Sequence, residues 1–180
     1  MATPIQQTQS NTQLARCTPF AQTLSAHGLS LLRAKTTTLQ VNIGFLCNQI
    51  CRHCHLEAGP DRKEMMSTKT MDQVAAFAGR NEFELIDITG GAPELHPDLG
   101  DFIRALSPLA TRTVLRSNLT ALYQKGEPLM NLLKEYNIDI VASFPSLNEI
   151  QTDSIRGKAC FNTSIKALKQ LNSLGYGKER

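Results

Sequence analysis

The chain has 180 residues, enough for one domain with a sizeable core. Apolar residues make up 41% and charged residues 19% of the chain, which is typical of a globular protein and excludes a disordered one. The net charge is only +3, no run of Lys or Arg forms a phosphate-binding stripe, and aromatic content is 6%. These features argue against a nucleic-acid-binding protein. No apolar run is long enough to cross a bilayer, so no membrane association is expected.

The N-terminal region is predicted to lie outside the main domain. Residues 1–13 are rich in Gln and Thr and lack the charged and apolar regions of a secretory signal, so we expect a cytoplasmic protein with reduced thiols. Thr18 and Pro19 are typical of a helix start, and Gly28 of its end. We therefore predict that residues 1–37 form a leader with one short helix.

The remaining sequence alternates between strand and helix patterns. Strands are predicted at 39–43, 84–89, 113–115 and 138–143, and helices at 67–78, 98–109, 128–136 and 162–174. This alternation predicts an α/β fold with parallel βαβ units. A closed eight-stranded barrel takes about 250 residues. Residues 38–180 are therefore predicted to form a partial (β/α) TIM-like barrel of about four βα units, whose polar loops share the active face.

Three of the five cysteines, Cys47, Cys51 and Cys54, fall within eight residues, directly after the first predicted strand. Three thiolates on one loop suit a soft metal centre. A cubane iron–sulfur cluster usually takes four cysteines, one for each iron. Three cysteines leave one iron open to bind a ligand, so the spacing favours a reactive cluster.

The spacing leaves three other interpretations open. Cys51 to His55 matches the C-x-x-C-H pattern of c-type haem attachment, although that pattern does not explain Cys47. The three cysteines with His53 or His55 match the ligand types of a compact zinc-binding module. Cys51 and Cys54 alone match a redox pair.

The pattern Cys-x-x-x-Cys-x-x-Cys after a first strand resembles the radical S-adenosylmethionine (SAM) superfamily. The resemblance implies a [4Fe–4S] cluster on Cys47, Cys51 and Cys54, whose open iron chelates the amino and carboxylate groups of SAM. One electron then breaks a carbon–sulfur bond, which gives methionine and a 5′-deoxyadenosyl radical. An electron donor such as flavodoxin or ferredoxin is also implied.

The resemblance further implies which residues contact SAM. Ala92 stands where the superfamily often carries an acid, which leaves Glu94 as the nearest carboxylate. The residues alone are equally compatible with a simple βα turn at Gly90 and Gly91, helix caps after the third and fourth strands, and a surface arginine at 156. The implied SAM contacts are His53, Gly90, Gly91, Ala92, Glu94, Ser117, Asn118, Ser143 and Arg156.

A closer resemblance covers residues 38–177. It is to the arsenosugar-biosynthesis radical SAM proteins and implies transfer of a 5′-deoxyadenosyl group to a small-molecule substrate, a methylated trivalent arsenical. That family carries a Cys-rich C-terminal domain, which residues 1–180 do not include, so an inactive fragment of the enzyme is a further alternative. The family commonly has Cys where Ser117 and Ser146 stand here. The matching segments are 38–42, 47–62, 64–66, 87–94, 117–120, 141–143, 156–157 and 171–177.

Overall fold

The computed structural model describes residues 18–178. The chain divides into two units after residue 35, whereas the sequence predicted a boundary after residue 37. In the first unit, helix α1 (Phe20–Ala26) follows Pro19 and has no buried residue. The first part of the predicted leader, residues 1–17 with Cys17, lies outside the described residues.

The second unit is built on a four-stranded parallel sheet. Its strands are β1 (Thr38–Asn42), β2 (Phe83–Thr89), β3 (Ala110–Ser117) and β4 (Asp139–Ala142), and they lie in the order β1-β2-β3-β4. Consecutive strands are therefore neighbours, as successive βα units require. The α/β fold class and the four βα units predicted from the sequence are confirmed.

Six helices follow the strands or the loops between them: α2 (Thr68–Gly79), α3 (Leu99–Leu106), α4 (Thr120–Lys125), α5 (Glu127–Glu135), α6 (Glu149–Arg156) and α7 (Cys160–Ser173). Ser67 caps α2 as predicted, since its Oγ accepts a hydrogen bond from Thr70 N at 3.2 Å. Asp98 precedes α3 but does not cap it; its carboxylate accepts from Thr68 Oγ1 at 2.9 Å instead. Helices α4 and α6 were not predicted.

The two faces of the sheet differ in chemistry. One face carries apolar side chains such as Val41, Ile88 and Leu115, which belong to the main core with residues of α2 to α5 and α7. Burying each side chain of this size contributes about 1.5–3 kcal/mol. Because side chains alternate along a strand, Gln40 and Asp87, directly opposite each other in the register, belong to the other face. No helix among residues 18–178 is long and apolar enough to span a bilayer.

Candidate active site

The cysteine loop lies between β1 and α2 and is fixed by backbone hydrogen bonds. Cys47 N donates to Gly59 O at 3.1 Å, and Gly59 N donates to Phe45 O at 3.2 Å. From the loop after β2, Ala92 N donates to Leu46 O at 2.8 Å. The residue before the first cysteine is thus tied to the loop that follows the second strand.

Gly90 and Gly91 allow this close approach. A Cβ on Gly91 would lie 2.6 Å from Leu46 O and 2.9 Å from the Cβ of Ala58, and a Cβ on Gly90 would lie 2.9 Å from Gly44 O. Real Cβ atoms essentially never come within 3.0 Å of another heavy atom. The Gly-Gly pair therefore serves the packing of the cysteine loop, in addition to any ligand contact.

One cavity of about 490 Å³ opens beside the cysteine loop at the carboxyl ends of the strands. Three cysteines line it, and so do seven of the nine residues expected to contact SAM. The other two, Ala92 and Glu94, are buried outside the lining, with exposures of 3% and 1%. The predicted residues in the lining are Cys47, Cys51, His53, Cys54, Gly90, Gly91, Ser117, Asn118, Ser143 and Arg156.

Arg62 stabilises the cysteine loop through contacts with residues on both sides of the three cysteines, a role that the sequence did not predict. Its Nη1 donates to Glu57 O at 2.8 Å, and its guanidinium lies 4.7 Å from the ring centre of Phe45. Its Nη2 pairs with Glu64 Oε1 at 2.9 Å. The pairing with Arg62 holds the pKa of Glu64 at about 2. A signal for Arg62 was its place in the segment 47–62, one of those on which the predicted family resemblance was based.

The first cysteine is the most buried of the three. Cys47 is 6% exposed, and Asn118 Nδ2 lies 3.5 Å from its Sγ as a hydrogen-bond donor. Burial raises the pKa of the Cys47 thiol, and the hydrogen bonds from Gln49 N and Asn118 oppose that rise. Burial also raises the pKa of Cys51, while the nearby charge of Arg156 lowers it. Cysteines bind metals as thiolates. A bound metal cation stabilises the thiolate form and so offsets the effect of burial on the pKa of these two cysteines.

A fourth cysteine lies close to the loop. Gln49, which is 5% exposed, accepts a hydrogen bond from Cys51 Sγ and donates one to Cys160 Sγ, both at 3.4 Å. Gln49 also donates to Thr120 Oγ1 at 2.9 Å. The sequence predicted neither this role of Gln49 nor the proximity of Cys160, which begins α7. Cys160 does not line the cavity.

Arg156 is a buried cation that faces the cavity. It is 7% exposed at the end of α6, and its Nη1 donates to Asn118 O at 3.4 Å. Its Nε has no hydrogen-bond partner among the described residues. An unsatisfied donor on a buried guanidinium is costly, which suits an anionic ligand in the cavity. The interpretation as an exposed surface arginine is wrong.

Glu94 lies behind the cavity wall. Its Oε1 accepts a hydrogen bond from Ser117 Oγ, and its Oε2 has no hydrogen-bond partner within residues 18–178. Burial raises the pKa of this carboxyl group. Ser117 Oγ in turn accepts from Leu119 N at 2.9 Å, so the acid holds the turn between β3 and α4.

The polar face of the sheet adds to the site an ion pair between the buried Asp87 and the exposed Arg116. Arg116 Nε donates a bifurcated hydrogen bond to both carboxylate oxygens of Asp87, and its Nη2 donates another to Oδ2, at 2.7 to 3.0 Å. Gln40 Nε2 also donates to Asp87 Oδ2, at 2.8 Å. Burial alone would raise the pKa of Asp87, but these hydrogen bonds and the charge of Arg116 hold it below its usual range.

No group of three His, Cys, Asp or Glu side chains within residues 18–178 is arranged to hold a single metal ion. A cluster makes a different demand, because each thiolate binds its own iron. All four described cysteines, at positions 47, 51, 54 and 160, are free thiols. The three in the cavity wall thus fit the donor set of a cluster with one open iron.

A parallel βα sheet that presents three cysteine thiols and a buried arginine to one cavity is suited to an α/β protein that binds an iron–sulfur cluster. The family model for the radical SAM superfamily matches residues 41–178. The chain belongs to this superfamily. The family implies a [4Fe–4S] cluster and SAM as its cofactors.

Curated relatives of this chain include a probable GTP 3′,8-cyclase and a bacteriocin biosynthesis protein. The chain is 28% identical over 141 residues to a probable GTP 3′,8-cyclase of Pyrococcus horikoshii, which covers 78% of this chain and 44% of the relative. It is 28% identical over 132 residues to the antilisterial bacteriocin subtilosin biosynthesis protein AlbA of Bacillus subtilis. That match covers 72% of this chain and 29% of AlbA. The chain thus spans less than half the length of these relatives.

A solved structure has the same fold. SuiB of Streptococcus suis bound to S-adenosylmethionine superposes with a TM-score of 0.67 at 19% identity, over 88% of this chain and 38% of that one. SuiB bound to the precursor peptide SuiA gives a TM-score of 0.65 at 21% identity. These similarities support the partial barrel.

Proposed function

We propose that this chain forms the cluster- and SAM-binding part of a radical SAM enzyme. The observation that carries the proposal is that Cys47, Cys51, Cys54 and the buried Arg156 line the same cavity. The cysteines would hold three irons of a [4Fe–4S] cluster. A cluster bound there would supply the electron with which a carbon–sulfur bond of SAM is cleaved to methionine and a 5′-deoxyadenosyl radical.

The protein's own residues would bind and orient SAM. Arg156 offers an unsatisfied guanidinium donor to the SAM carboxylate, with the forked geometry that carboxylates fit. His53 lies in the cavity wall next to Cys54, where the superfamily places a residue near the adenine. Ser117, Asn118 and Ser143 follow the third and fourth strands and add polar groups to the same wall.

The turn after β2 would contact SAM through its backbone. The structure buries Glu94 behind the wall, so its carboxylate is not placed to meet the amino group. Gly90 and Gly91 lie in the wall and carry no side chain that blocks access to their carbonyl oxygens. Carbonyl oxygens accept hydrogen bonds from an ammonium group.

For the substrate we propose the methylated trivalent arsenical that the resemblance of residues 38–177 implies. This part of the proposal rests on the motifs quoted for that family. An electron donor such as flavodoxin or ferredoxin would deliver the electron. The named relatives offer two other substrate classes, a nucleoside triphosphate and a precursor peptide, which the test includes.

The experiment is anaerobic reconstitution with iron and sulfide, followed by iron analysis and reduction with dithionite in the presence of SAM. We expect four irons per chain and release of 5′-deoxyadenosine. The single variants Cys47→Ala, Cys51→Ala and Cys54→Ala should each lose the iron. A colourless protein that binds one zinc tightly would overturn the proposal in favour of the zinc module.

The substrate is then tested with the same protein. Dimethylarsinous acid, GTP and a synthetic precursor peptide are each added, and adenosylated, cyclised or otherwise altered products are analysed by mass spectrometry. An adenosylated arsenical supports the proposed substrate. A product from GTP or the peptide, with none from the arsenical, overturns it.

A further inference from the structure

Asn118 contacts both halves of the proposed site. Its Nδ2 donates to Cys47 Sγ at 3.5 Å and to Asn48 Oδ1 at 2.8 Å. Its backbone carbonyl accepts from Arg156 Nη1 at 3.4 Å. A small displacement of this one residue would therefore change the surroundings of a proposed cluster ligand and of the proposed SAM anchor together.

The turn that carries Asn118 has an unusual backbone. Leu119 has a φ of +67°, in the left-handed region that side chains other than glycine seldom adopt. Such a conformation persists only where the surroundings hold it in place. Here the Leu119 amide donates to Ser117 Oγ at 2.9 Å, and Ser117 Oγ donates to the carboxyl group of Glu94.

In the part of the chain that the structure describes, the side chain of Glu94 is hydrogen-bonded to Ser117 alone. It is 1% exposed and comes from the short helical turn Pro93–Leu95 after β2, so it links the second strand's loop to the third strand's loop. Glu94 is not among the residues that line the cavity, so its carboxyl group reaches the cavity only through Ser117. A buried hydrogen-bonded acid of this kind specifies one arrangement of the loops around it.

We propose that Glu94 and Ser117 are positioning residues, which hold the β3–α4 turn so that Asn118 donates a hydrogen bond to the Cys47 sulfur and raises the reduction potential of a cluster bound there. This inference rests on the proposed function. Reduction adds a negative charge to a cluster, so a donor aimed at a ligand sulfur stabilises the reduced form more than the oxidised form.

A capping role for Asn118 must be separated from this one, because its Oδ1 also accepts from Ala121 N at 2.9 Å. The variant Asn118→Ser distinguishes helix capping from the hydrogen bond to Cys47. Serine is a good helix cap and is neutral, but it is too short to reach Cys47 and lacks the amide donor. Glu94→Gln keeps an acceptor oxygen for Ser117, whereas Glu94→Met keeps the length and removes the acceptor.

The first measurement is a redox titration of the reconstituted protein without SAM, followed by electron paramagnetic resonance. Asn118→Ser should lower the midpoint potential by up to about 59 mV, a tenfold change for a one-electron couple. Ser117→Ala and Glu94→Met should lower it in the same direction by less. Glu94→Gln should keep the wild-type value, as should Ser164→Ala, a buried serine of α7 outside the cavity wall.

The results decide each part separately. An unchanged potential in Asn118→Ser overturns the tuning role. A lowered potential in Asn118→Ser, with the wild-type value in both Ser117→Ala and Glu94→Met, overturns the positioning role.

A second measurement does not need the cluster. Amide hydrogen exchange of the iron-free protein should be slow at Leu119 and faster there in Ser117→Ala and Glu94→Met, with Glu94→Gln unchanged. Equal exchange at Leu119 in all variants overturns the positioning role. If the wild type takes up no iron, the proposed function fails, while the exchange result still decides whether Glu94 holds the turn.

Discussion

Gln49 Nε2 donates a hydrogen bond to Cys160 Sγ at 3.4 Å, across 111 positions of sequence. The same amide accepts from Cys51, so Gln49 lies between a proposed cluster ligand and a fourth thiol. Cys160 is 8% exposed and also donates to Arg156 O at 3.3 Å. Its thiol is therefore engaged in the packing of α7 behind the cavity.

We expect Cys160→Ala to keep the cluster. The replacement removes one weak partner of Gln49, whose stronger hydrogen bond to Thr120 remains. Iron content and the visible spectrum after reconstitution check this expectation, with Cys51→Ala as the matched variant that loses the iron. An iron loss in Cys160→Ala equal to that in Cys51→Ala would show that Cys160 is a ligand.

Arg156 should control SAM affinity. A hydrogen bond to a charged group contributes about 1.5–3 kcal/mol, so Arg156→Ala should weaken SAM binding about ten- to a hundredfold. The SAM affinity of Arg156→Lys should lie between those of wild type and Arg156→Ala, because lysine keeps the positive charge but cannot donate two parallel hydrogen bonds to a carboxylate. Titration of SAM against the reconstituted protein measures both.

The control for this titration is Arg104→Ala, since Arg104 pairs with Asp101 on the exposed surface of α3. Wild-type affinity in Arg156→Ala would mean that the SAM carboxylate is held elsewhere. The cluster spectrum should be the same in all three variants, because neither arginine is a ligand.

Gly91→Ala should damage the cysteine loop. The added Cβ would meet Leu46 O at 2.6 Å, and the loop backbone must move to accommodate it. Overpacking of this kind costs about 1–3 kcal/mol. Urea unfolding of the iron-free protein measures the loss. Gly59→Ala is the control in the same loop, because its nearest neighbour would lie 3.9 Å away; equal stability of the two variants would contradict the expectation.

Replacing Asp87 and replacing Arg116, the two partners of the ion pair on the sheet, should lower the free energy of unfolding by different amounts. The side chain of Asp87 is 6% exposed and that of Arg116 48%. Arg116→Met leaves a carboxylate buried with only Gln40, which costs about 1–3 kcal/mol as an undersatisfied group. Asp87→Asn leaves a cation that water still reaches, so its loss of unfolding free energy should be smaller. The opposite order in urea titrations at pH 7 would contradict this burial.

The sequence predicted features whose partners are local. Alternating apolar residues located the strands that bear Val41 and Ile88, and Ser67 marked the start of α2, because these signals depend on neighbours within a few positions. Gln49 and Arg62 escaped prediction, since polar residues in loops are usually exposed and their partners depend on how the chain folds. Its motif predicted that Glu94 contacts SAM, whereas in the folded chain its carboxyl group accepts a hydrogen bond from Ser117.

The pairing of Glu64 with Arg62 should make the stability of the cysteine loop depend on acid pH. The folded state lowers the pKa of Glu64 from its ordinary 4.5 to about 2. A lowered carboxyl pKa contributes stability that is fully present above the ordinary value and is lost as the pH falls through the folded value. We therefore expect wild type to exceed Glu64→Gln in unfolding free energy above pH 4.5, with the difference shrinking between pH 4.5 and 2. Urea unfolding of the iron-free proteins at several pH values measures this difference.

The control is Lys63→Gln, a substitution at the neighbouring exposed residue, whose unfolding free energy should follow that of wild type across this pH window. A difference between wild type and Glu64→Gln that stays constant from pH 5 to pH 2 would show that the carboxylate does not titrate against Arg62.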